Sequence, residues 1–118
     1  MDEAAFTAAL QDVRVPPDKA EEMAGFGDET MKTSILALYR SATSIGTDWA
    51  GALPGLARNP GLVLWGEHDP YASVAVGRKL AERTGARFHL FDDCGHWWPY
   101  ERAQETAELL AEHWNRAS

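Results

Sequence analysis

The stretch Leu62-Val63-Leu64-Trp65-Gly66-Glu67-His68-Asp69-Pro70-Tyr71 limits what this chain can fold into more than any other. Four bulky apolar residues in succession suit a strand buried on both faces, as in a parallel sheet. Gly66 breaks the run into an acid–histidine–acid cluster, and Pro70 ends any further pairing. Asp69 then falls just past the carboxyl end of the strand, where open α/β sheets place their ligand crevices. A second stretch repeats the layout: Phe88-His89-Leu90-Phe91, followed by Asp92-Asp93-Cys94-Gly95-His96-Trp97-Trp98.

Between and after these stretches the spacing predicts helices. Residues 71–84 carry Val74, Gly77, Leu80 and Ala81 on one side, and Gly85 suits the left-handed position that stops a helix. The second strand covers 86–91, with Ala86, Phe88 and Leu90 on one face and Arg87, His89 and Phe91 on the other. It is therefore expected to be less buried than the first. A last helix over 99–117 carries the stripe Ala103, Thr106, Ala107, Leu110 and Trp114. Strand–helix–strand–helix order implies a right-handed parallel crossover, with both strand ends on the same edge.

Before Gly61 the chain reads as helical. Phe6, Leu10 and Val13 fall at helical spacing over 3–13, and Pro16-Pro17 stops that helix. A short helix over 18–26 follows. Asp28 is placed as N-cap for a longer helix over 29–43, whose stripe Met31, Ile35, Leu38 and Ala42, widened by Leu36 and Tyr39, is expected to pack in a core. Residues 44–60 form a connector rich in Gly, Pro and Ala, with Trp49 and Leu53 sharing one face of a short helical segment.

Bulk properties narrow the function classes. With 118 residues the chain has the size of one domain with a modest core. A formal charge of −7 without a basic cluster argues against nucleic acid or an anionic membrane surface as partner. The single cysteine, Cys94, excludes an intrachain disulfide and makes a cysteine-rich zinc site implausible. An acidic N-terminus and the lack of a long apolar run lead to the expectation of a cytoplasmic protein.

Parallel neighbouring strands would bring the loops of Asp69 and His96 to one side, although the two residues are 27 positions apart. A carboxylate on one imidazole nitrogen fixes the tautomer and stabilises the imidazolium formed on proton abstraction. Gly95 would let the backbone turn and present the His96 ring, with Trp97 and Trp98 shielding it or lining a pocket. Other readings stand beside this one. Asp69-Pro70 is also a common turn opener, and His96 alone could be a surface or packing histidine. Glu67 and His68 read as solvated loop residues. Asp92, Asp93, Cys94 and His96 match no familiar zinc spacing, and Cys94 lies too close in sequence to His96 to align as its nucleophile.

The pattern LVLWGEHDPY, a helix closed by RTG, and then ARFHLFDDCGHWWPYERAQETAELLAEHW resembles the C-terminal part of α/β-hydrolase fold enzymes. The likeness runs from Gly61 to Trp114. In that family the triad acid follows a strand ending in Gly-x-x-Asp, here Gly66 and Asp69, and the triad histidine follows the final strand in Gly-His, here Gly95 and His96. The segment Ile35-Leu36-Ala37-Leu38-Tyr39-Arg40-Ser41 resembles the end of the family's inserted cap, which would make Tyr39 and Trp49 cap residues. The departure is as informative. None of Ser34, Ser41, Ser44, Ser73 or Ser118 sits in the nucleophile elbow Gly-x-Ser-x-Gly, and the His-Gly oxyanion-loop motif is missing.

The resemblance therefore implies an α/β fold class: a C-terminal fragment of an α/β-hydrolase, with residues 1–60 a helical cap-like segment and connector and 61–118 a strand–helix–strand–helix part of the core. It implies catalytic roles for Asp69 and His96, no cofactor and no metal. Hydrolysis of a small hydrophobic ester, amide or similar substrate is expected only with a nucleophile supplied by another chain. Either a homo-oligomer or a complementary N-terminal hydrolase chain is the expected partner, because two strands leave an open sheet edge. A non-catalytic oligomerising or interaction module is the alternative.

Overall fold

The computed structural model describes residues 2–117; Met1 and Ser118, and the side chains of Leu53 and Ala117, lie outside the described residues. The chain divides into two compact units, Met1–Ala52 and Leu53–Ser118. Among the described residues no helix is long and apolar enough to cross a membrane.

The first unit is helical: α1 (Glu3–Asp12), α2 (Pro17–Gly25), α3 (Glu29–Ser41) and the single turn α4 (Ile45–Asp48). Asp2 caps α1 by accepting from the Ala5 N–H at 2.8 Å. Its far end closes before the prolines are reached. Arg14 turns left-handed (φ 72°), and the N–H groups of Arg14 and Val15 return to the carbonyls of Gln11 and Leu10. This is the paired 5→2 and 6→1 closure of a Schellman turn, and its apolar pair, Leu10 and Val15, is buried. With Ala20 and Ala24 of α2 these residues make the core of the unit. Phe6 packs at Gly27, where a Cβ would meet its ring at 3.1 Å.

The stripe expected to be core on α3 is not. No residue of α3 is buried, and Leu38 and Tyr39 are 66% and 75% exposed. Within this unit α1 and α2 close on each other, and α3 borders a groove of about 420 Å³ beside Phe6, Gly27 and Met31. In the connector the structure also departs from the sequence reading: Trp49 follows α4, while Leu53 opens the separate turn α5 (Leu53–Leu56), so the two do not share a helix.

The second unit follows with β1 (Leu62–Gly66), α6 (Val74–Thr84), β2 (Arg87–Phe91), the turn α7 (Trp98–Glu101) and α8 (Ala103–Ala117). The strands pair in parallel, from Leu62 opposite Arg87 to Gly66 opposite Phe91. Val63, Trp65, Phe88 and Leu90 consequently share one face, and α6 packs there through Gly77, whose missing Cβ makes room for the Trp65 and Phe88 rings. Gly85 ends α6 in the left-handed region at φ 68°.

Burial of the two strands follows the expectation by a small margin: both are half-buried and end on a buried residue, Gly66 and Phe91, and β2 begins on the exposed Arg87. Leu62 to Trp65 of β1 and Phe88 to Leu90 of β2 are half-buried, and Phe91 is 1% exposed. With one partner strand β1 keeps an open edge. β2 is covered on both faces, by α6 on one side and on the other by Trp98, stacked on Phe91 at 5.4 Å, and by α8. His89 meets Glu105 at 3.2 Å and Arg87 meets Glu112 at 3.5 Å. The single last helix is in fact two, divided at Arg102, whose guanidinium reaches back to donate to the Asp92 carbonyl at 2.8 Å. That anchor sets the rotation of α8: Thr106 is buried and Leu110 half-buried, while Ala103, Ala107 and Trp114 of the expected stripe are exposed.

Candidate active site

Both strands deliver their loops to one edge, and the loops are joined by backbone before any side chain acts. Past the last ladder pair, the Glu67 N–H donates to the Phe91 carbonyl at 3.1 Å and the His68 N–H to the Cys94 carbonyl at 2.8 Å. Gly66 allows this approach: a Cβ there would lie 2.0 Å from the Gly95 carbonyl oxygen. The left-handed residue of the second loop is Asp93, at φ 48°, two positions before Gly95.

Asp69 is fixed by its own turn. Its Oδ1 accepts from the N–H groups of Tyr71 (2.8 Å) and Ala72 (3.1 Å), and the Trp65 indole N–H holds the Ala72 carbonyl at 3.1 Å. Those residues are thereby kept out of the helix, which starts at Val74 rather than Tyr71. The other oxygen, Oδ2, is left to meet His96 Nδ1 at 2.8 Å. The carboxylate is 8% exposed and the imidazole 43% exposed. Tyr71 and Trp97 stand edge-on to the His96 ring, with centroids 4.9 and 5.4 Å away. Among the described residues, His96 Nε2 makes no hydrogen bond.

Burial raises the Asp69 carboxyl, but the His96 hydrogen bond, the two backbone N–H groups and the charge of His96 outweigh it and hold the group below its ordinary value of 3.8. Asp69 is therefore ionised at neutral pH and demands a protonated Nδ1. That leaves the Nε2 lone pair free to take a proton.

Cys94 is fully buried; burial pushes its thiol up and the Glu101 carboxylate adds to this, against Arg102. A buried, protonated thiol is a poor nucleophile. His68 Nε2 lies 3.6 Å from Asp93 Oδ1 and 3.8 Å from Glu67 Oε2 at the surface. Among the described residues no group of three or more His, Cys, Asp or Glu side chains could hold a metal ion.

The sequence reading took Glu67 as a solvated loop residue and did not single out Glu101. Glu67 Oε2 accepts from the Asp93 N–H at 2.8 Å, and Glu101 Oε1 accepts from the Gly95 N–H at 2.9 Å. Neither spacing advertises this. The only signal was the density of turn residues after Phe91, whose N–H groups need acceptors.

The model of the Alpha/beta hydrolase family matches residues 2–109. Among curated proteins, the chain is similar to 2-hydroxy-6-oxononadienedioate/2-hydroxy-6-oxononatrienedioate hydrolases. The Klebsiella pneumoniae protein is 36% identical over 59 residues, covering 49% of this chain and 20% of that protein. The Cupriavidus pinatubonensis protein is 39% identical over 67 residues, covering 56% and 23%. The matched segment thus spans about a fifth of the length of these relatives. No solved structure gives a significant match. With a family match over nearly all of its length, on the Gly-x-x-Asp and Gly-His loops joined here by a 2.8 Å bond, the chain belongs to the alpha/beta hydrolase family.

Proposed function

We propose that Asp69 and His96 are the acid and base of a hydrolase triad whose nucleophile lies outside these 118 residues. The observation that carries this is the 2.8 Å contact between Asp69 Oδ2 and His96 Nδ1, with Nε2 turned away from it on a half-exposed ring. In the proposed reaction Nε2 takes the proton of a hydroxyl nucleophile as its oxygen bonds to a substrate carbonyl carbon. Asp69 stabilises the imidazolium, and His96 then returns the proton to the leaving group. Water repeats the cycle and releases the acid. The relatives are named as 2-hydroxy-6-oxononadienedioate/2-hydroxy-6-oxononatrienedioate hydrolases, which supports hydrolysis as the reaction; the substrate proposed for this chain is a small ester, amide or similar compound.

Supporting a role in an assembly, the outer edge of β1 is open and Leu38, Tyr39 and Trp49 are exposed. We propose that the working species is a homo-oligomer or a complex with a nucleophile-bearing hydrolase chain. The test mixes the chain with a family polypeptide containing the Gly-x-Ser-x-Gly elbow and assays an activated ester. Turnover by the mixture that is lost with His96→Ala and reduced with Asp69→Asn is expected, with none from the chain alone. Turnover that survives His96→Ala would sink the assignment. A second reading, a non-catalytic interaction module, draws on the same exposed apolar side chains. It wins if the assembled complex forms by light scattering and stays inert.

A further inference from the structure

The loop that presents His96 buries Cys94 and Gly95 against the neighbouring loop, but its approach is exposed. Between Phe91 and Trp97 it runs through the exposed residues Asp92 and Asp93 and turns left-handed at Asp93, a conformation non-glycine residues adopt at a cost. Yet the backbone on either side of Cys94 is tied to a carboxylate. Upstream, the Asp93 N–H donates to Glu67, which stands two residues before Asp69 on the opposite loop. Downstream, the Gly95 N–H donates to Glu101 at the end of α7. Gly95 directly precedes His96. A charged acceptor makes a shorter and stronger hydrogen bond than a neutral one, so each tie is stronger than an ordinary turn contact.

We propose that Glu67 and Glu101 are positioning residues for His96, holding its loop at two backbone amides so that Nδ1 meets Asp69. This rests on the reading of Asp69 and His96 as acid and base. Glu67 fixes the separation of the two loops, because one side chain spans from the acid's loop to the base's. Glu101 fixes the peptide from which the His96 ring projects. Each acts on the backbone of the loop, and neither is a catalytic residue. Their task is geometric: a misplacement of about 1 Å at a reacting group costs roughly 10²-fold in rate.

The test uses the full chain and reads the His96 ring by nitrogen-detected NMR together with amide exchange at Asp93 and Gly95. In the wild type both amides are expected to exchange at least about tenfold more slowly than unbonded loop amides, and unprotected amides would overturn the proposal outright. Glu67→Ala and Glu101→Ala should each release their own amide and broaden or shift the His96 Nδ1–H signal. Glu67→Gln and Glu101→Gln, which keep an acceptor oxygen at the same reach, should restore both readouts. Glu67→Asp and Glu101→Asp keep the charge but fall one methylene short, and should behave like the alanine variants. These milder changes decide the matter if an alanine variant fails to fold. A folded variant lacking the acceptor that keeps the wild-type His96 signal refutes the positioning role. A wild-type His96 signal indifferent to Asp69→Asn refutes instead the acid–base reading beneath it.

Discussion

Replacing Gly66 by alanine puts the convergence of the two loops under direct stress. The new Cβ would lie 2.0 Å from the Gly95 carbonyl oxygen and 2.8 Å from both the Cys94 oxygen and the Gly95 carbonyl carbon. All three are backbone atoms, so no side chain can swing aside. Carbon contacts under 3.0 Å essentially do not occur, and one loop must retreat by about 1 Å. Overpacking of this kind costs about 1–3 kcal/mol, while the lower chain entropy of unfolded alanine returns about 0.5–1 kcal/mol. A net loss of about 1–2 kcal/mol is expected. The same retreat would stretch the 2.8 Å Asp69–His96 contact beyond hydrogen-bonding range. Urea unfolding reports the first effect as a lower midpoint at unchanged slope, and the His96 ring resonances report the second. A Gly66→Ala variant with the wild-type midpoint and an unaltered His96 spectrum would refute the argument that these loops meet at van der Waals contact.

Other perturbations test separate parts of the structure. Gly77→Ala would place a Cβ 2.6 Å from Trp65 Cε3, against a ring anchored by its own indole hydrogen bond; a net loss of about 1–2 kcal/mol in urea unfolding is expected despite alanine's better helix propensity. Asp28→Ala removes the cap that accepts from the Met31 N–H at 2.7 Å, and because α3 buries no residue its helicity should fall visibly in far-UV circular dichroism, with a cost of about 0.5–2 kcal/mol. The lowered Asp69 carboxyl sets a pH window: its contribution is fully present above about 3.8 and lost as pH falls through the lower folded value, so the stability gap between wild type and Asp69→Asn should close as pH falls below about 3.8. A gap that widens as pH falls below about 3.8 would contradict that sign.

What was legible in the sequence was what local pattern and chain connectivity control. Four apolar residues ending at Gly66, a helix stopped by Gly85 and a second strand ending at Phe91 force two loops to one edge, and Asp69 and His96 do meet there. Burial was not legible, because periodicity says which side of an element is apolar and nothing about what covers it. Ile35 and Leu38 carry a helical stripe that no residue buries, and Phe91, at the end of a strand whose first residue is exposed, is sealed by Trp98. The break at Arg102 and the ties from Glu67 and Glu101 arise from long side chains reaching backbone carbonyls and amides, and such contacts leave no periodic trace.

The central claim is that Asp69 fixes His96 with its proton on Nδ1 and its lone pair on Nε2. Long-range proton–nitrogen correlation of the His96 ring at neutral pH reads this directly. The expected result is a protonated Nδ1 and a bare Nε2, with the pattern lost or averaged in Asp69→Asn. A proton resident on Nε2, or a ring spectrum that Asp69→Asn leaves unchanged, would contradict it.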